Sequence, residues 1–437
     1  MHLVIHSIRR SCLRFQAYSK PSTTESFDFL VAWTALHVLA SKKKGRNTMR
    51  HLCTTAILGA LALGRLMQPA YSQEPIKIGV MFPLTGPISA QGAPERDAVK
   101  QAFDEENNTI AGRKVELLYE DSAGRPDTGL TKIKALVERD KVHLLLSEVV
   151  SSIGAAIAPY VSEQKIPWIS TVALDSLTRS QKSPYIFRFV PSTYQYALVA
   201  ARLTQKMGWK KVYFIGWNAP PGRESADVAK KIYGAENVVD AQFPNVGTSD
   251  YAPYLTAMDT EKADGTLAAM WGSDAPRVVG QYGEYGLNKK MPLFGIASFT
   301  SEELLTAMPA QAVGVQSAYT YCGTLDTPEN KKFVGGFKAN HDGAVPGSYT
   351  YMGYMAAKIV IQALKDIGGK AEDREAFIDA LSKVQLKGPM GMTSFDEHHG
   401  LVADFYHLTI EKGPNGQLQN ACGERIAQVK DPYDLFP

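Results

Sequence analysis

Residues 76–82 read IKIGVMF, and residues 83–92 continue as PLTGPISAQG. The first stretch is a nearly unbroken apolar run, which is typical of a strand buried on both faces of a parallel sheet. The second stretch contains the proline and glycine of a turn and leads into helical spacing at 95–106. This order of strand, turn and helix predicts the first unit of an α/β fold.

The alternation of strand-like and helical segments continues along the chain. Further apolar runs typical of strands lie at 115–119, 142–146, 211–217, 264–271 and 291–296. Helical spacing is found at 127–140, 153–164, 194–207, 348–367 and 373–384. Because 437 residues exceed what one core usually holds, we predict two doubly wound, Rossmann-like sheets with helices on both faces.

The N-terminal region is predicted to contain a targeting segment that is absent from the mature protein. In residues 49–72, Arg50 precedes an apolar stretch at 54–67, and a small-x-small pattern typical of a signal-peptidase site follows. Residues 1–48 fit neither a signal nor a core, and Met49 is a suitable initiator, so we expect an over-extended reading frame there. The protein is therefore expected in the periplasm after cleavage of a signal peptide.

Charge and hydropathy argue against nucleic acid and membrane as partners. Ten of the 47 Lys and Arg residues but only two of the 44 Asp and Glu residues precede position 73. The remainder is mildly acidic and lacks the clustered basic residues that nucleic-acid binding requires. No run approaches the roughly 18 apolar residues of a membrane span.

Two cysteines, Cys322 and Cys422, follow the predicted signal peptide. An oxidising compartment allows them to pair, and two separate buried thiols would fit the sequence as well. The expected location favours the disulfide.

The loops that follow strands are the candidate ligand sites, because doubly wound sheets bind ligands beyond the carboxyl ends of their strands. Ser151 and Ser152 open a predicted helix directly after the run at 142–146. A helix N-terminus presents free N–H groups and a positive dipole end, which suit an anionic ligand group. Ordinary N-capping by serine explains the same two residues equally simply.

Several motifs together resemble the Leu/Ile/Val-binding proteins, the type I periplasmic receptors of ATP-driven importers. They are IGVMFPLTGP at 78–87 with Gly92, EEN at 105–107, VEL at 115–117, ED at 120–121, SS at 151–152 and DTPEN at 326–330. The resemblance covers about residues 73–412. It implies a monomer without a cofactor that captures a small molecule and passes it to the membrane permease of an ABC importer.

The resemblance also implies two lobes joined by a hinge of three strands. The crossings between the lobes are expected near residues 190, 322 and 388. The N-terminal lobe then comprises 73–190 with 323–387, and the C-terminal lobe comprises 191–322 with 388–437.

Amino-acid-binding members of the family hold the α-carboxylate with the serine pair and the 171–174 loop, which includes Ala173. They hold the ammonium with a loop threonine, an acidic residue and a tyrosine of the second lobe. The matching positions of this sequence carry Leu174, Ala297 beside Ser298, and Pro221, and a first-loop aromatic position carries Gln91. A buried ammonium without an acidic partner is unfavourable, so an ordinary α-amino acid is not expected.

Trp217 and Trp271 lie at the ends of predicted strands. Aromatic walls bury a planar ring and leave an indole N–H as a donor, although core packing explains either tryptophan as well. We therefore expect a carboxylate-bearing ligand, an aromatic or other organic acid. Branched-chain amino acids, amides and urea stay open as alternatives.

No enzymatic signature is present. The sequence contains no G-x-x-x-x-G-K-[ST], H-E-x-x-H or G-x-S-x-G. His398 and His399 are interpreted as solvated turn residues and not as metal ligands. Tyr349, Tyr351 and Tyr354 have near-helical spacing and are interpreted as packing residues. A ligand sensor for a membrane kinase and a hydrolase on the same architecture are the alternatives of other classes.

Overall fold

The computed structural model describes residues 74–86 and 88–436. The predicted signal peptide and the over-extended start at 1–48 lie outside these residues. No helix within the described ranges combines the length and apolar character needed to cross a bilayer.

Within the described residues, six strands form the first sheet. They are β1 (Ile76–Phe82), β2 (Thr109–Ile110), β3 (Arg113–Asp121), β4 (Leu144–Ser147), β5 (Trp168–Ser170) and β6 (Ile186–Arg188). Their order is β2-β3-β1-β4-β5-β6, and every neighbouring pair is parallel except β2 with β3. The chain runs outward from β1 to β3 and then returns to β4, so a crevice opens where strand order reverses.

The second sheet has nine strands in the part of the chain that the structure describes. They are β7 (Val212–Gly216), β8 (Val238–Gln242), β9 (Gly265–Ala269), β10 (Leu293–Ile296), β11 (Gln316–Tyr319), β12 (Leu386–Gly388), β13 (Gly391–Phe395), β14 (Leu401–Lys412) and β15 (Leu418–Val429). The parallel part has the order β11-β10-β9-β7-β8, and β12 to β15 add an antiparallel extension beside β11. Strand order reverses here between β7 and β9.

Helices cover the sheets. They are α1 (Ser89–Asp104), α2 (Pro126–Lys134), α3 (Ser151–Glu163), α4 (Thr193–Lys206), α5 (Pro220–Tyr233), α6 (Ala252–Leu255), α7 (Asp274–Glu284), α8 (Glu302–Leu305), α9 (Pro328–Asn340), α10 (Ser348–Asp366) and α11 (Arg374–Lys383). The predicted helix at 127–140 corresponds to α2 and the π-helical turn that continues it. The predicted α/β class with two doubly wound sheets is confirmed.

The opening motif folds as its sequence predicts. All residues of β1 except Lys77 are buried, because β1 lies between β3 and β4 with helices on both faces. A Cβ at Gly79 would come within 2.8 Å of the Leu145 side chain in β4. Glycine therefore permits the close packing around the central strands.

The chain passes between the two sheets three times within residues 88–436. After β6 it enters α4, which packs on α5 beside the second sheet. After β11 it returns through α9 to α10, and α10 packs against α1 beside the first sheet. After α11 it enters β12 of the second sheet.

A disulfide and two ion pairs of Asp431 link the second sheet and the C-terminal end of the chain to the crossing segments. Cys322, just after β11, forms a disulfide with Cys422 in β15, and their Cα atoms are 6.0 Å apart. Asp431, after β15, accepts hydrogen bonds from Arg188 at 2.7 Å and from Arg179 at 2.6 Å. The end of the chain therefore contacts first-sheet residues, although the sequence assigns 388–437 to the C-terminal lobe.

Candidate ligand-binding site

A cavity of about 220 Å³ lies beyond the carboxyl ends of β4 in the first sheet and of β7 and β9 in the second. The strand order of each sheet reverses next to these strands. Ser151 and Ala173 line it from the loops after β4 and β5. The second sheet and its loops contribute Trp217, Pro221, Trp271, Ala297 and Ser298. Seven of the predicted site residues, which span the sequence from Ser151 to Ser298, thus lie around one cavity.

Three predicted site residues do not line this cavity. Ser152 is exposed but points elsewhere, because successive residues on a helix are rotated by about 100°. Leu174 packs against the apolar core between α3 and the first sheet. Gln91 lies half-buried in the first turn of α1.

Helix α3 begins at the cavity with unsatisfied N–H groups. The cap residue Val150 contributes no side-chain hydrogen bond, and its carbonyl accepts from the N–H groups of Ile153 and Gly154 at 3.0 and 2.9 Å. Among the described residues, the N–H groups of Ser151 and Ser152 have no hydrogen-bond partner. The Ser151 hydroxyl and this helix end together can hold an anion.

A buried carboxyl group lies directly behind this helix end. Glu148 is fully buried, and its Oε1 accepts from the N–H groups of Val149 and Val150 at 2.9 and 3.1 Å. Burial raises the pKa of the Glu148 carboxyl to about 7, although a Ser122 contact and the two N–H groups oppose the shift. The Glu148 carboxyl therefore stays neutral to higher pH than a free glutamate, and the neutral form does not repel an anion. The sequence shows one acidic residue in an otherwise apolar loop, which was the only signal for it.

The two tryptophans form one aromatic wall. Their ring centroids are 5.0 Å apart with a T-shaped arrangement at 79°. The prediction of free indole donors is wrong, because Trp217 donates its N–H to Asp274 at 2.8 Å and Trp271 donates to the Ile296 carbonyl at 2.9 Å. Buried indole N–H groups generally find a protein partner. The tryptophans therefore offer ring surface and no hydrogen bond to a ligand.

Three tyrosines also line the cavity, and the sequence did not identify any of them as a site residue. They are Tyr196 on α4, Tyr319 at the end of β11 and Tyr349 in the first turn of α10. Tyr349 packs against the apolar core as expected and also lines the cavity, whereas Tyr351 and Tyr354 are buried.

No Asp, Glu, Lys, Arg or His is among the described residues that line the cavity. A larger cleft of about 650 Å³ contains such groups, including Asp175, Arg179 and Glu224. The guanidinium of Arg179 is already engaged by Asp431 and by the Phe436 carbonyl. We take the smaller cavity as the ligand site because it lies where both strand orders reverse.

The turn histidines are packed. His399 stacks on Phe187 with ring centroids 3.9 Å apart, and His398 lies over Tyr433. No group of three side chains suited to metal binding occurs in the described part of the chain.

A ligand-sized cavity between two doubly wound sheets, at the carboxyl ends of their strands, is typical of a solute-binding protein. The family model described as periplasmic binding protein matches residues 75–415, and the chain belongs to this family. It is an ABC-transporter substrate-binding protein of the Leu/Ile/Val-binding type, which implies an extracytoplasmic location and a transport role rather than an enzymatic one.

Three similar proteins support this assignment. Leu/Ile/Val-binding protein homolog 6 of Brucella melitensis is 26% identical over 388 residues, covering 86% of this chain and 97% of the relative. An ABC transporter substrate-binding protein from Sphaerobacter thermophilus is 32% identical with a TM-score of 0.78, covering 82% of this chain and 99% of that one. A solute-binding protein of an ABC transporter from Rhodopseudomonas palustris, in complex with 3,4-dihydroxybenzoic acid, is 28% identical with a TM-score of 0.74 and the same coverages.

Proposed function

We propose that this protein binds a small aromatic carboxylate in the periplasm and delivers it to the permease of an ABC importer. The observation that carries the proposal is the composition of the 220 Å³ cavity. It combines a serine at an open helix N-terminus with two indole rings, and it contains no charged side chain among the described residues.

The anion anchor is Ser151 with the first N–H groups of α3. Hydrogen bonds to a charged group contribute about 1.5–3 kcal/mol each, more than bonds between neutral groups. Trp217 and Trp271 bury the flat face of the ligand ring, with Pro221 and Ala297 beside them. The complex of the Rhodopseudomonas relative with 3,4-dihydroxybenzoic acid supports a ligand of this kind.

The same cavity disfavours an α-amino acid. An ammonium group enclosed here would face neutral side chains only, and burial of an unpaired charge is strongly unfavourable. The positions where amino-acid receptors carry an acidic residue and a threonine hold Ala297 and Leu174.

Binding is coupled to closure of two lobes, 73–190 with 323–387 and 191–322 with 388–437. Ser151 and Ala173 contact the ligand from the first lobe, and both tryptophans contact it from the second. A ligand that contacts both lobes stabilises the closed form, because those contacts are complete only when the lobes meet. The monomeric closed form is the species that the permease recognises.

Calorimetric titration of the purified protein with benzoate, benzamide and leucine tests the proposal. Benzamide has the ring and shape of benzoate without the charge, so we expect it to bind at least about tenfold more weakly. Leucine should not bind measurably. Equal affinity for benzoate and benzamide, or tighter binding of leucine than of any aromatic acid, would refute the proposal.

Export is tested separately. The protein recovered from the periplasm of an expressing cell should begin at Gln73, as read by N-terminal sequencing. An unprocessed chain retained in the cytoplasm would contradict the predicted signal peptide.

A further inference from the structure

Helix α8 is attached to the second sheet by polar contacts. The side-chain amide of Asn420 in β15 donates to the Thr300 carbonyl, just before α8, at 2.7 Å. The same amide donates to the Glu302 carboxyl group, in the first turn of α8, at 3.3 Å. Glu303, the next residue, therefore extends from the second sheet.

Helix α10 is attached to the first sheet. It packs along α1, and the two helices approach closely, because a Cβ at Gly353 would clash with the main-chain oxygen of Glu95 in α1. The N-terminal end of α10 reaches the ligand cavity, where Tyr349 lines the wall. The start of α10 and the residues of α8 thus belong to different sheets.

The carboxylate of Glu303 bridges these two helices. Its Oε1 accepts from the Tyr349 N–H at 3.0 Å, and the Ser348 hydroxyl donates to Oε1 and Oε2 at 3.1 and 3.0 Å. Among the described residues, all hydrogen bonds of this carboxylate go to the start of α10. The helix dipole and the charge-assisted bonds both stabilise a carboxylate at this position. The contact of Glu303 with Ser348 and Tyr349 is here called the Glu303 latch.

The main chain leaves room for the latch at Gly347. This residue immediately precedes α10, and a Cβ there would clash with the Glu303 carboxylate. The Gly347 N–H donates to the Thr350 hydroxyl at 3.3 Å, so the turn into the helix is held by its own hydrogen bond. Glycine therefore permits a contact that a larger residue would displace.

The neighbouring acidic residue does not oppose the latch. Burial raises the pKa of the Glu302 carboxyl to about 8, and the adjacent Glu303 adds to the shift. Glu302 therefore mostly keeps its proton at neutral pH, and the two adjacent acidic residues do not then repel each other. The negative charge is carried by Glu303, where the helix end stabilises it.

We propose that Glu303 is a positioning residue that holds the two lobes together: its carboxylate joins the second lobe to the start of α10, fixes Tyr349 in the cavity wall and stabilises the closed form. The inference rests on the lobe closure of the proposed function, but it does not depend on which small molecule binds. Glu303 does not line the cavity, so its effect on affinity is indirect. Loss of the latch lowers the fraction of closed protein, and the observed affinity falls by the same factor.

The test compares Glu303→Gln with the unaltered protein. Glutamine keeps the shape of the side chain and removes its charge, and charge-assisted hydrogen bonds are about twice as strong as neutral ones. We expect a larger radius of gyration by small-angle X-ray scattering without any ligand, because the lobes separate more often. Dissociation of 3,4-dihydroxybenzoate should become about five- to tenfold faster by stopped-flow tryptophan fluorescence, with little change in the association rate.

A second variant removes the latch from the other lobe. Ser348→Ala should accelerate dissociation in the same way, and the double variant should be little worse than either single one, because both changes remove one contact. Glu375→Gln is the matched control. Glu375 also lies in the first turn of a helix, α11, but its partner at 2.7 Å is the hydroxyl of Tyr185 in the same lobe. The control should leave the radius of gyration unchanged and the dissociation rate within about twofold.

The outcomes separate this inference from the proposed function. If Glu303→Gln lowers only the free energy of unfolding and leaves the radius of gyration and the dissociation rate unchanged, Glu303 merely caps α10 and the inference is overturned. Additive effects of Glu303→Gln and Ser348→Ala would overturn it as well. If leucine binds and aromatic acids do not, the proposed ligand is wrong, and leucine becomes the probe for the same dissociation test. The radius of gyration requires no ligand, so it tests the latch even if none of these compounds binds.

Discussion

Ser151→Ala separates the anion anchor from the rest of the site. The substitution removes one hydroxyl from the cavity and leaves the N–H groups of α3 in place. A hydrogen bond to a carboxylate contributes about 1.5–3 kcal/mol, which corresponds to a Kd increase of roughly 10- to 150-fold. Binding should be weakened and not abolished, because the helix end still attracts the anion.

Ser152→Ala is the matched control for this prediction. Both serines are exposed and occupy the first turn of α3, but only Ser151 lines the cavity. Neither is the cap residue, so both substitutions should change the unfolding free energy by less than about 0.5 kcal/mol. Ser152→Ala should therefore leave Kd within about twofold.

Calorimetric titration with 3,4-dihydroxybenzoate measures both values, and thermal unfolding followed by circular dichroism checks that the variants are folded. Equal losses for the two variants would show that the serines act through helix stability alone. An unchanged Kd for Ser151→Ala would show that the carboxylate binds elsewhere in the cavity.

Three further predictions concern the surroundings of the site. Asp274→Ala removes the acceptor of the Trp217 indole N–H, so it should lower the free energy of unfolding in urea by about 2–4 kcal/mol and weaken aromatic-acid binding. An unaltered Kd would contradict a role of Asp274 in orienting the Trp217 ring. Burial raises the folded-state pKa of Glu148 to about 7, so the contribution of Glu148 to stability should fall as pH rises from about 4.5 to 7. Glu148→Gln should therefore make the decline of the melting temperature over that range less steep, and an unchanged decline would argue against this assignment. Asp431→Ala leaves the buried Arg188 without its carboxylate and should cost about 3–5 kcal/mol by chemical denaturation, and a loss below about 1 kcal/mol would contradict this.

The strands were predictable from sequence wherever burial requires a continuous run of apolar residues. β1 begins and ends where the apolar run does, because both of its faces are covered. The predicted strand at 115–119 is shorter than β3, which extends to Arg113 and Asp121. Exposed Lys114 and Glu116 alternate with buried residues there, so the apolar signal marks only its centre.

The candidate site was predictable only where it follows strands. Ser151, Trp217 and Trp271 follow predicted strands, and doubly wound sheets bind ligands beyond the carboxyl ends of their strands. Tyr196 and Tyr349 come from helices, and their spacing is the same as that of buried neighbours. Which of several tyrosines faces a cavity depends on how α4 and α10 pack, and the sequence does not encode that locally.

Hydrogen-bond partners across the fold were the least predictable feature. The indole of Trp217 is satisfied by Asp274, which is 57 residues away in sequence and begins another helix. Trp271 is satisfied by a main-chain carbonyl of Ile296, which has no side-chain signature at all. Both pairings remove the free indole donors expected from the sequence, and an aromatic wall without donors favours an aromatic ring over a polar ligand.

If the proposed function is right, ligand selection depends on the charged side chains that the cavity lacks among the described residues. An α-amino acid and an aromatic acid both present a carboxylate to Ser151 and the α3 N-terminus, so the anchor alone cannot distinguish them. The distinction arises next to the carboxylate, where the α-ammonium of an amino acid would find no acidic side chain among the described residues that line the cavity. Since a buried unpaired charge destabilises a complex far more than one lost hydrogen bond, the absence of an acidic residue discriminates more strongly than any single added contact. Introducing a carboxylate at Ala297 should therefore weaken aromatic-acid binding by repulsion before it creates any affinity for an amino acid.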